Sequence, residues 1–174
     1  MFPPFYETRP CFLDRKESED VLSFYNEFRE RKEICTGFSN SSDYDAWLLM
    51  MRNRKENKDL PEGYVRENFY LCYDKKELVG VFSVKFALTN NFLIMAVILV
   101  TPSLLPKRKR GYGTAILKEE LLLAKNLGFH KVLSVADDDN IGSIKIIEKN
   151  GGVYENSLFD EEEKVQVRRY WVDC

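Results

Sequence analysis

Apolar residues recur at helical spacing in the N-terminal third of the chain. They fall into two sets, Val21, Phe24, Tyr25 and Phe28, and Tyr44, Trp47, Leu48 and Met51. Residues three or four positions apart lie on one face of a helix, so the pattern predicts two amphipathic helices whose apolar sides face the core. The polar segment 36–43 is predicted to cap the second helix, and the polar segment 53–63 is predicted to be a linker.

The middle of the chain changes to short apolar runs that are typical of strands. These runs are Asn68–Tyr73, Glu77–Leu88 and Phe92–Val100, with turns at 74–76 and 89–91. They predict an antiparallel meander. The last run is far below the roughly 20 apolar residues that span a bilayer, so we interpret it as a buried strand and expect no membrane partner.

The C-terminal half alternates helices and strands. A helix over about 111–127 ends at Gly128, and a strand over about 131–136 follows, an order that favours parallel pairing of the two flanking strands. A helix over about 140–150 and strands near 153–159 and 164–172 complete the chain, with the acidic run 160–163 as a hairpin loop. The final strand could pair within the chain or between two copies, which leaves a homodimer open.

Composition limits the classes of protein. A chain of 174 residues is typical of one domain, and we expect residues 1–174 to form it. A net charge of −2 gives no overall attraction to nucleic acid, and the four cysteines lack metal-ligand spacing. We therefore expect a cytoplasmic protein with no metal and no nucleic-acid partner. His130, the only histidine, is interpreted as structural.

A basic, glycine-containing segment follows the strand Phe92–Val100 and opens the next helix. Its sequence is Arg108-Lys109-Arg110-Gly111-Tyr112-Gly113. The first turn of a helix has unpaired N–H groups and a partial positive charge, so this segment predicts a binding site for a phosphate-bearing cofactor. It is not a P-loop, because Gly113 is followed by Thr114-Ala115 rather than Lys-Ser/Thr. A nucleic-acid patch is the alternative.

A second motif follows the strand over 131–136. It runs from Asn140-Ile141-Gly142-Ser143 to Glu148-Lys149-Asn150-Gly151-Gly152. Asn140 and Ser143 are three residues apart and would share one helix face. Asn140 could also be a helix cap, and that role is compatible with a cofactor contact.

Together, the two motifs resemble the coenzyme A pyrophosphate loop, Arg-x-x-Gly-x-Gly, and the second signature of the GNAT superfamily of acyl-CoA-dependent N-acetyltransferases. The segments 60–65, 137–141 and 168–171 are similar to a poorly characterised bacterial-type subgroup. The resemblance implies an α/β (α+β) fold with a mixed, mostly antiparallel sheet. In this fold about four helices flank the sheet, and coenzyme A enters between two parallel strands that splay apart.

The resemblance also implies the site. Backbone N–H groups near the end of the strand before the loop would bind the thioester oxygen, and the loop and the later helix would bind the rest of acetyl-CoA. The residues expected to contact the cofactor are Leu99, Val100, Thr101, Arg108, Lys109, Arg110, Gly111, Tyr112, Gly113, Thr114, Asn140 and Ser143.

The implied reaction is direct transfer of the acetyl group of acetyl-CoA to a primary amine of a small molecule or peptide in a ternary complex. Asp137, at a strand end, is the candidate general base, with helix capping as its alternative role. The tyrosine that protonates departing coenzyme A in many family members corresponds to Ile147, so that acid is missing. A catalytically weak, coenzyme A-binding regulatory or structural protein is therefore the alternative. Tyr154, Tyr170 and Trp171 line either the acceptor pocket or the core.

The stretch Phe92–Ser103 departs from the subgroup, which has a strand resembling Tyr-Gly-Gly-His-Ile-Gly-Tyr-Ser-Val here. Met95 has a single codon ending in G, and alanine codons begin with GC, so a slipped frame across Met95 and Ala96 reads glycine. Permitted codons up to Pro102 continue it to Gly-His-Ile-Gly-Tyr-Ser. We hypothesise a compensated frameshift over about 93–107, which would spare backbone contacts to the cofactor but alter acceptor-facing side chains.

Overall fold

A computed structural model describes residues 7–10, 18–31, 44–62, 64–89, 92–101, 109–160 and 164–174. Within these ranges the chain forms seven strands and four helices. In chain order they are β1 (Glu7–Pro10), α1 (Ser18–Glu30), α2 (Tyr44–Glu56), β2 (Arg66–Asp74), β3 (Glu77–Thr89), β4 (Phe92–Thr101), α3 (Tyr112–Asn126), β5 (Lys131–Asp137), α4 (Ile141–Lys149), β6 (Val153–Asp160) and β7 (Val165–Asp173). The strands form one mixed sheet in the order β1-β2-β3-β4-β5-β7-β6.

The helices α1 and α2 cover one face of the β2–β3 part of the sheet. The apolar residues predicted to face the core are buried, and Trp47 packs edge to face on Phe69 of β2 with ring centroids 5.5 Å apart. α2 extends four residues into the predicted linker, because it ends at Glu56. Its end is tied to β2 by an ion pair of 2.7 Å between Arg54 and the buried Glu67.

The helices α3 and α4 cover the other face. Their apolar residues, among them Ile116, Leu117, Ile144 and Ile147, form a second core with β2, β3, β5 and β7. Because side chains alternate along a strand, the buried Val132, Ser134 and Ala136 of β5 face these helices. The remaining β5 side chains, which include Asp137, therefore face the opposite side of the sheet.

The pairing of β4 with β5 is parallel, as predicted, and it is short. It runs from Met95 opposite Val132 to Ile98 opposite Val135, and beyond these pairs Leu99–Thr101 and Ala136–Asp137 do not pair with each other. The register between β3 and β4 also shifts here, because Ser83 lies opposite Ile98 but Val81 lies opposite Thr101. This bulge places an extra β4 residue where the two parallel strands part. The predicted splayed pair is confirmed.

β7 pairs within the chain, with β5 on one side and β6 on the other, and both pairings are antiparallel. The strand β1 was not predicted, because four residues ending in proline carry no strand pattern in the sequence. The predicted capping loop 36–43 lies outside the described residues. No helix in the described ranges is long and apolar enough to cross a membrane.

Candidate active site

The start of α3 has the geometry of an anion cradle. Gly111, the N-cap residue, has φ of 89°, and Lys109 has φ of 62°. No side chain of the described residues caps the helix, and the first intrahelical bond is from the Ala115 N–H to the Gly111 carbonyl, at 3.1 Å. The preceding N–H groups therefore have no acceptor within the helix and can bind an anion. Lys109 and Arg110 are exposed beside them, whereas Arg108 lies outside the described residues.

The side chain of Tyr112 is buried and anchors this loop to the sheet. Its hydroxyl donates a hydrogen bond of 2.7 Å to a carboxylate oxygen of Asp74, at the end of β2. The guanidinium of Arg110 lies 5.9 Å from the centre of the same ring. The hydroxyl of Tyr112 therefore binds the sheet and does not point to a phosphate in the cradle. The contact of Asp74 with Tyr112 was not predicted from the sequence. Asp74 lies at the turn between β2 and β3, and nothing in the sequence of that turn indicates a partner 38 positions away.

Gly113 has a packing role. A Cβ atom at this position would lie 2.6 Å from Cδ1 of Ile146, so its absence lets α3 and α4 approach closely. Asn150, at the end of α4, donates hydrogen bonds from Nδ2 to the carbonyl oxygens of Thr114, at 3.2 Å, and of Ile146, at 2.9 Å. The first turn of α3 is thus fixed to α4. The role of Asn150 was not predicted, although the residue lies in the quoted motif.

The turn from β5 into α4 is built around Asn140. Its Oδ1 accepts a hydrogen bond of 3.1 Å from the Ser143 N–H, and its own N–H donates to the Asp137 carbonyl at 2.9 Å. The predicted capping role of Asn140 is confirmed. The alternative capping role of Asp137 is wrong, because the N-cap position of α4 belongs to Asn140. Ser143 is buried on the side of α4 that faces the core.

Asp137 is the last residue of β5 and is partly buried. Burial raises the pKa of its carboxyl group, and the nearby charges of Asp139 and Asp160 raise that pKa further. Because β4 and β5 are parallel, their carboxyl ends lie at the same edge of the paired strands. The structure therefore brings the backbone of Leu99–Thr101 and the carboxylate of Asp137 to the open end of the splayed pair.

The position expected for a proton-donating tyrosine holds no polar group. Ile147 is fully buried and packs in the core between α3, α4 and the sheet. Of the three aromatic candidates for an acceptor pocket, Tyr170 is in this core and Tyr154 is exposed, with their rings edge to face at 5.7 Å. Trp171 is partly exposed, and its indole N–H donates to Glu155 at 3.0 Å.

The chain is similar in fold to solved acetyltransferase structures of low sequence identity, of which three are described. A Salmonella typhimurium acetyltransferase that modifies the N-terminal serine of ribosomal protein L7/L12 is 13% identical, with a TM-score of 0.75 over 99% of this chain and 96% of that one. A spermidine N-acetyltransferase chimera from Vibrio cholerae and hSSAT is 14% identical, with a TM-score of 0.71 over 97% and 95%. The protein yncA from Salmonella typhimurium, solved with its cofactor acetyl-CoA, is 12% identical, with a TM-score of 0.68 over 97% and 93%.

No curated protein matches the sequence at a significant level. The family model described as the acetyltransferase (GNAT) family matches residues 18–152, which is most of the chain and includes both motifs and the splayed strands. By fold and by sequence, the chain therefore belongs to the GNAT acetyltransferase family.

Proposed function

We propose that this acetyltransferase transfers the acetyl group of acetyl-CoA directly to a primary amine of a small molecule or peptide. The observation that carries the proposal is the parting of β4 and β5 beyond Ile98 and Val135, next to the uncapped first turn of α3. The first turn of α3 offers backbone N–H groups, which have no acceptor within the helix, for phosphates. Asp137, at the end of β5, offers a carboxylate for an amine.

The residues present fit acetyl-CoA. The pyrophosphate would lie on the N–H groups of residues 112–114, with Lys109 and Arg110 supplying positive charge. The pantetheine arm would run between the parted strands towards Asn140 and Ser143. Backbone N–H groups of Leu99–Thr101 would hold the thioester oxygen and stabilise the negative charge that develops there during transfer.

Asp137 would supply the base. An amine of pKa near 10 is mostly protonated at neutral pH, and it must lose a proton before its lone pair can attack the carbonyl carbon. The carboxylate of Asp137 takes that proton, directly or through one water molecule, before the attack. As the carbon–nitrogen bond then forms and the carbon–sulfur bond breaks, coenzyme A leaves as a thiolate and the nitrogen loses its second proton to water. The raised pKa of Asp137 makes it a stronger base than an ordinary aspartate at the same position.

The leaving thiolate would depart without a side-chain acid at position 147. A thiol of pKa about 8.5 leaves readily as a thiolate, so the buried Ile147 should slow the reaction rather than prevent it. The same residue favours the second candidate, a coenzyme A-binding protein with weak catalysis. Binding without turnover would identify that candidate.

Calorimetric titration with acetyl-CoA tests the cradle, and the chain offers a matched pair of variants. Gly111 and Gly128 lie at opposite ends of α3, have φ of 89° and 90°, and have no atom of the described residues within 4 Å of an added Cβ. Gly111→Asp and Gly128→Asp therefore impose similar backbone strain. Only the first places a negative charge where the pyrophosphate would lie, so we expect Gly111→Asp alone to weaken binding, by at least tenfold, about 1.4 kcal/mol.

Equal loss of affinity in both variants would assign the effect to helix strain and count against the cradle. No binding by the unaltered chain would overturn the proposal. A thiol-release assay then tests transfer, with spermidine and a peptide beginning with serine as the first amines, because structurally similar proteins act on a polyamine and on an N-terminal serine. Amine-dependent thiol release supports the transferase, and its absence despite binding supports the weakly catalytic alternative.

A further inference from the structure

Two segments that the sequence analysis singled out, 137–141 and 168–171, meet in the structure. The guanidinium Nε of Arg168 donates a hydrogen bond of 2.5 Å to Oδ1 of Asp138. The N–H of Asp138 donates to the Gln166 carbonyl of β7 at 2.8 Å. β7 therefore holds Asp138, the first residue of the β5–α4 turn, by hydrogen bonds to both the backbone and the side chain of Asp138.

This contact lies at the level where the sheet opens. Arg168 is opposite Ala136 in the β5–β7 pairing, and Ala136 is the first β5 residue beyond the last pair with β4. The turn that Arg168 holds connects Asp137, the last residue of β5, to Asn140, the cap residue of α4. In the proposed function these two residues serve different substrates, the amine and acetyl-CoA.

The ion pair has little to contribute to stability. The side chains of Arg168 and Asp138 are 35% and 48% exposed, and ion pairs on such surfaces add little to the free energy of unfolding. A pair of the same kind joins the same two strands at their opposite end, where Lys131 lies 3.3 Å from Asp173. That second pair is at the other end of β5 from the opening between β4 and β5, and it provides a matched control.

We propose that Arg168 is a positioning residue that holds the β5–α4 turn through Asp138, and so fixes Asp137 and Asn140 relative to each other. Because β7 is anchored in the core by Tyr170, the turn takes its position from the sheet and not only from α4. The inference deepens the proposed acetyltransferase function and rests on it for the roles of the two positioned residues.

The test compares Arg168→Ala, Arg168→Lys and Lys131→Ala with the unaltered chain. Hydrogen exchange is followed in peptides that cover residues 137–145, where the Asn140 and Ser143 amides are hydrogen-bonded within the turn. Urea unfolding reports global stability, and calorimetry reports acetyl-CoA affinity. Arg168→Ala should exchange faster only in this segment, keep its unfolding midpoint, and bind acetyl-CoA about tenfold more weakly. Arg168→Lys should show smaller changes in exchange and affinity than Arg168→Ala, because lysine keeps the positive charge. Lys131→Ala should match the unaltered chain.

Unchanged exchange in Arg168→Ala would overturn the proposal, as would faster exchange throughout with a lower unfolding midpoint, since that is a general structural role. Faster local exchange with unchanged acetyl-CoA affinity would overturn the proposal that Arg168 positions Asn140 for acetyl-CoA. If the unaltered chain does not bind acetyl-CoA, the proposed function fails, and the exchange data alone still decide whether Arg168 holds the turn.

Discussion

Glu120 is the least expected residue of α3. It is fully buried, and neither carboxyl oxygen has a hydrogen-bond partner among the described residues. Burial raises the pKa of this carboxyl group well above its usual range. The carboxyl group is therefore held towards its neutral form in the folded protein, while it ionises near pH 4.3 in the unfolded chain.

We expect Glu120→Met to stabilise the protein, because a thioether of similar length has no polar group to leave unpaired. The folded state binds more protons than the unfolded state above pH 4.3, so the unaltered chain should lose stability as pH rises from that value through the raised pKa. The gain from methionine should therefore grow from pH 5 to pH 8, to about 1–3 kcal/mol. Urea unfolding at several pH values measures it, and a gain independent of pH would contradict the buried-acid explanation.

Asp137 gives a prediction about rate. In Asp137→Asn the base is lost, and kcat/KM should fall by about 10²–10⁴-fold. In the unaltered protein kcat/KM should decline as pH falls through the raised pKa of Asp137, above the ordinary value of about 3.9. The asparagine variant should lack this decline.

Asp139→Asn is the companion to that experiment. The charge of Asp139 helps to raise the pKa of Asp137, so its removal should move the decline to lower pH while leaving the maximal rate nearly unchanged. An unchanged pH profile in both variants would mean that another group accepts the proton.

The two motifs could be predicted from the sequence because each depends on the conformation of residues that are close together in the chain. A left-handed glycine at a helix start and an asparagine cap are set by neighbours in the sequence. The contacts of Tyr112 with Asp74, of Asn150 with Thr114 and of Arg168 with Asp138 join residues about 30 or more positions apart. No spacing rule predicts such pairs, because they depend on how the elements pack.

At the scale of elements, the helices and strands followed the apolar pattern closely. The exceptions have physical reasons. β1 is short and ends in proline, and the additional turn of α2 is stabilised by the ion pair of Arg54 with Glu67. The parallel pairing of β4 with β5 followed from the strand-helix-strand order, whereas its early end at Ile98 was implied only by the family resemblance.

The strand β4 also carries the frameshift hypothesis, which stays a prediction. A chain that carries the alternative reading over 93–107 should keep the same backbone pairing. We therefore expect acetyl-CoA affinity within about threefold of the present chain, a difference below ~0.7 kcal/mol, but faster amine-dependent thiol release. Resequencing the gene is the direct check, and equal turnover of the two chains would contradict the hypothesis.

At the scale of the whole molecule, two cores lie on opposite faces of one sheet, and the site lies between the halves of that sheet. Acetyl-CoA between β4 and β5 would contact both halves. At a concentration 100 times its Kd it should add about 2.7 kcal/mol to the free energy of unfolding and raise Tm by roughly 5–10 °C. Scanning calorimetry should show a single unfolding transition whose Tm rises when acetyl-CoA is added. Two transitions, of which only one shifts, would mean that the ligand binds to only one half of the sheet.

The short β4–β5 ladder has a mechanical consequence. Its residue pairs, Met95–Ile98 with Val132–Val135, are the only strand pairing within the described sheet between the four strands β1–β4 and the three strands β5, β7 and β6. A load that pulls these groups of strands apart should rupture this seam first. Acetyl-CoA bound between β4 and β5 would contact both groups of strands and oppose their separation. Because proteases cleave the opened state, this protein should be degraded faster in a cell with a low acetyl-CoA concentration than in one with a high concentration.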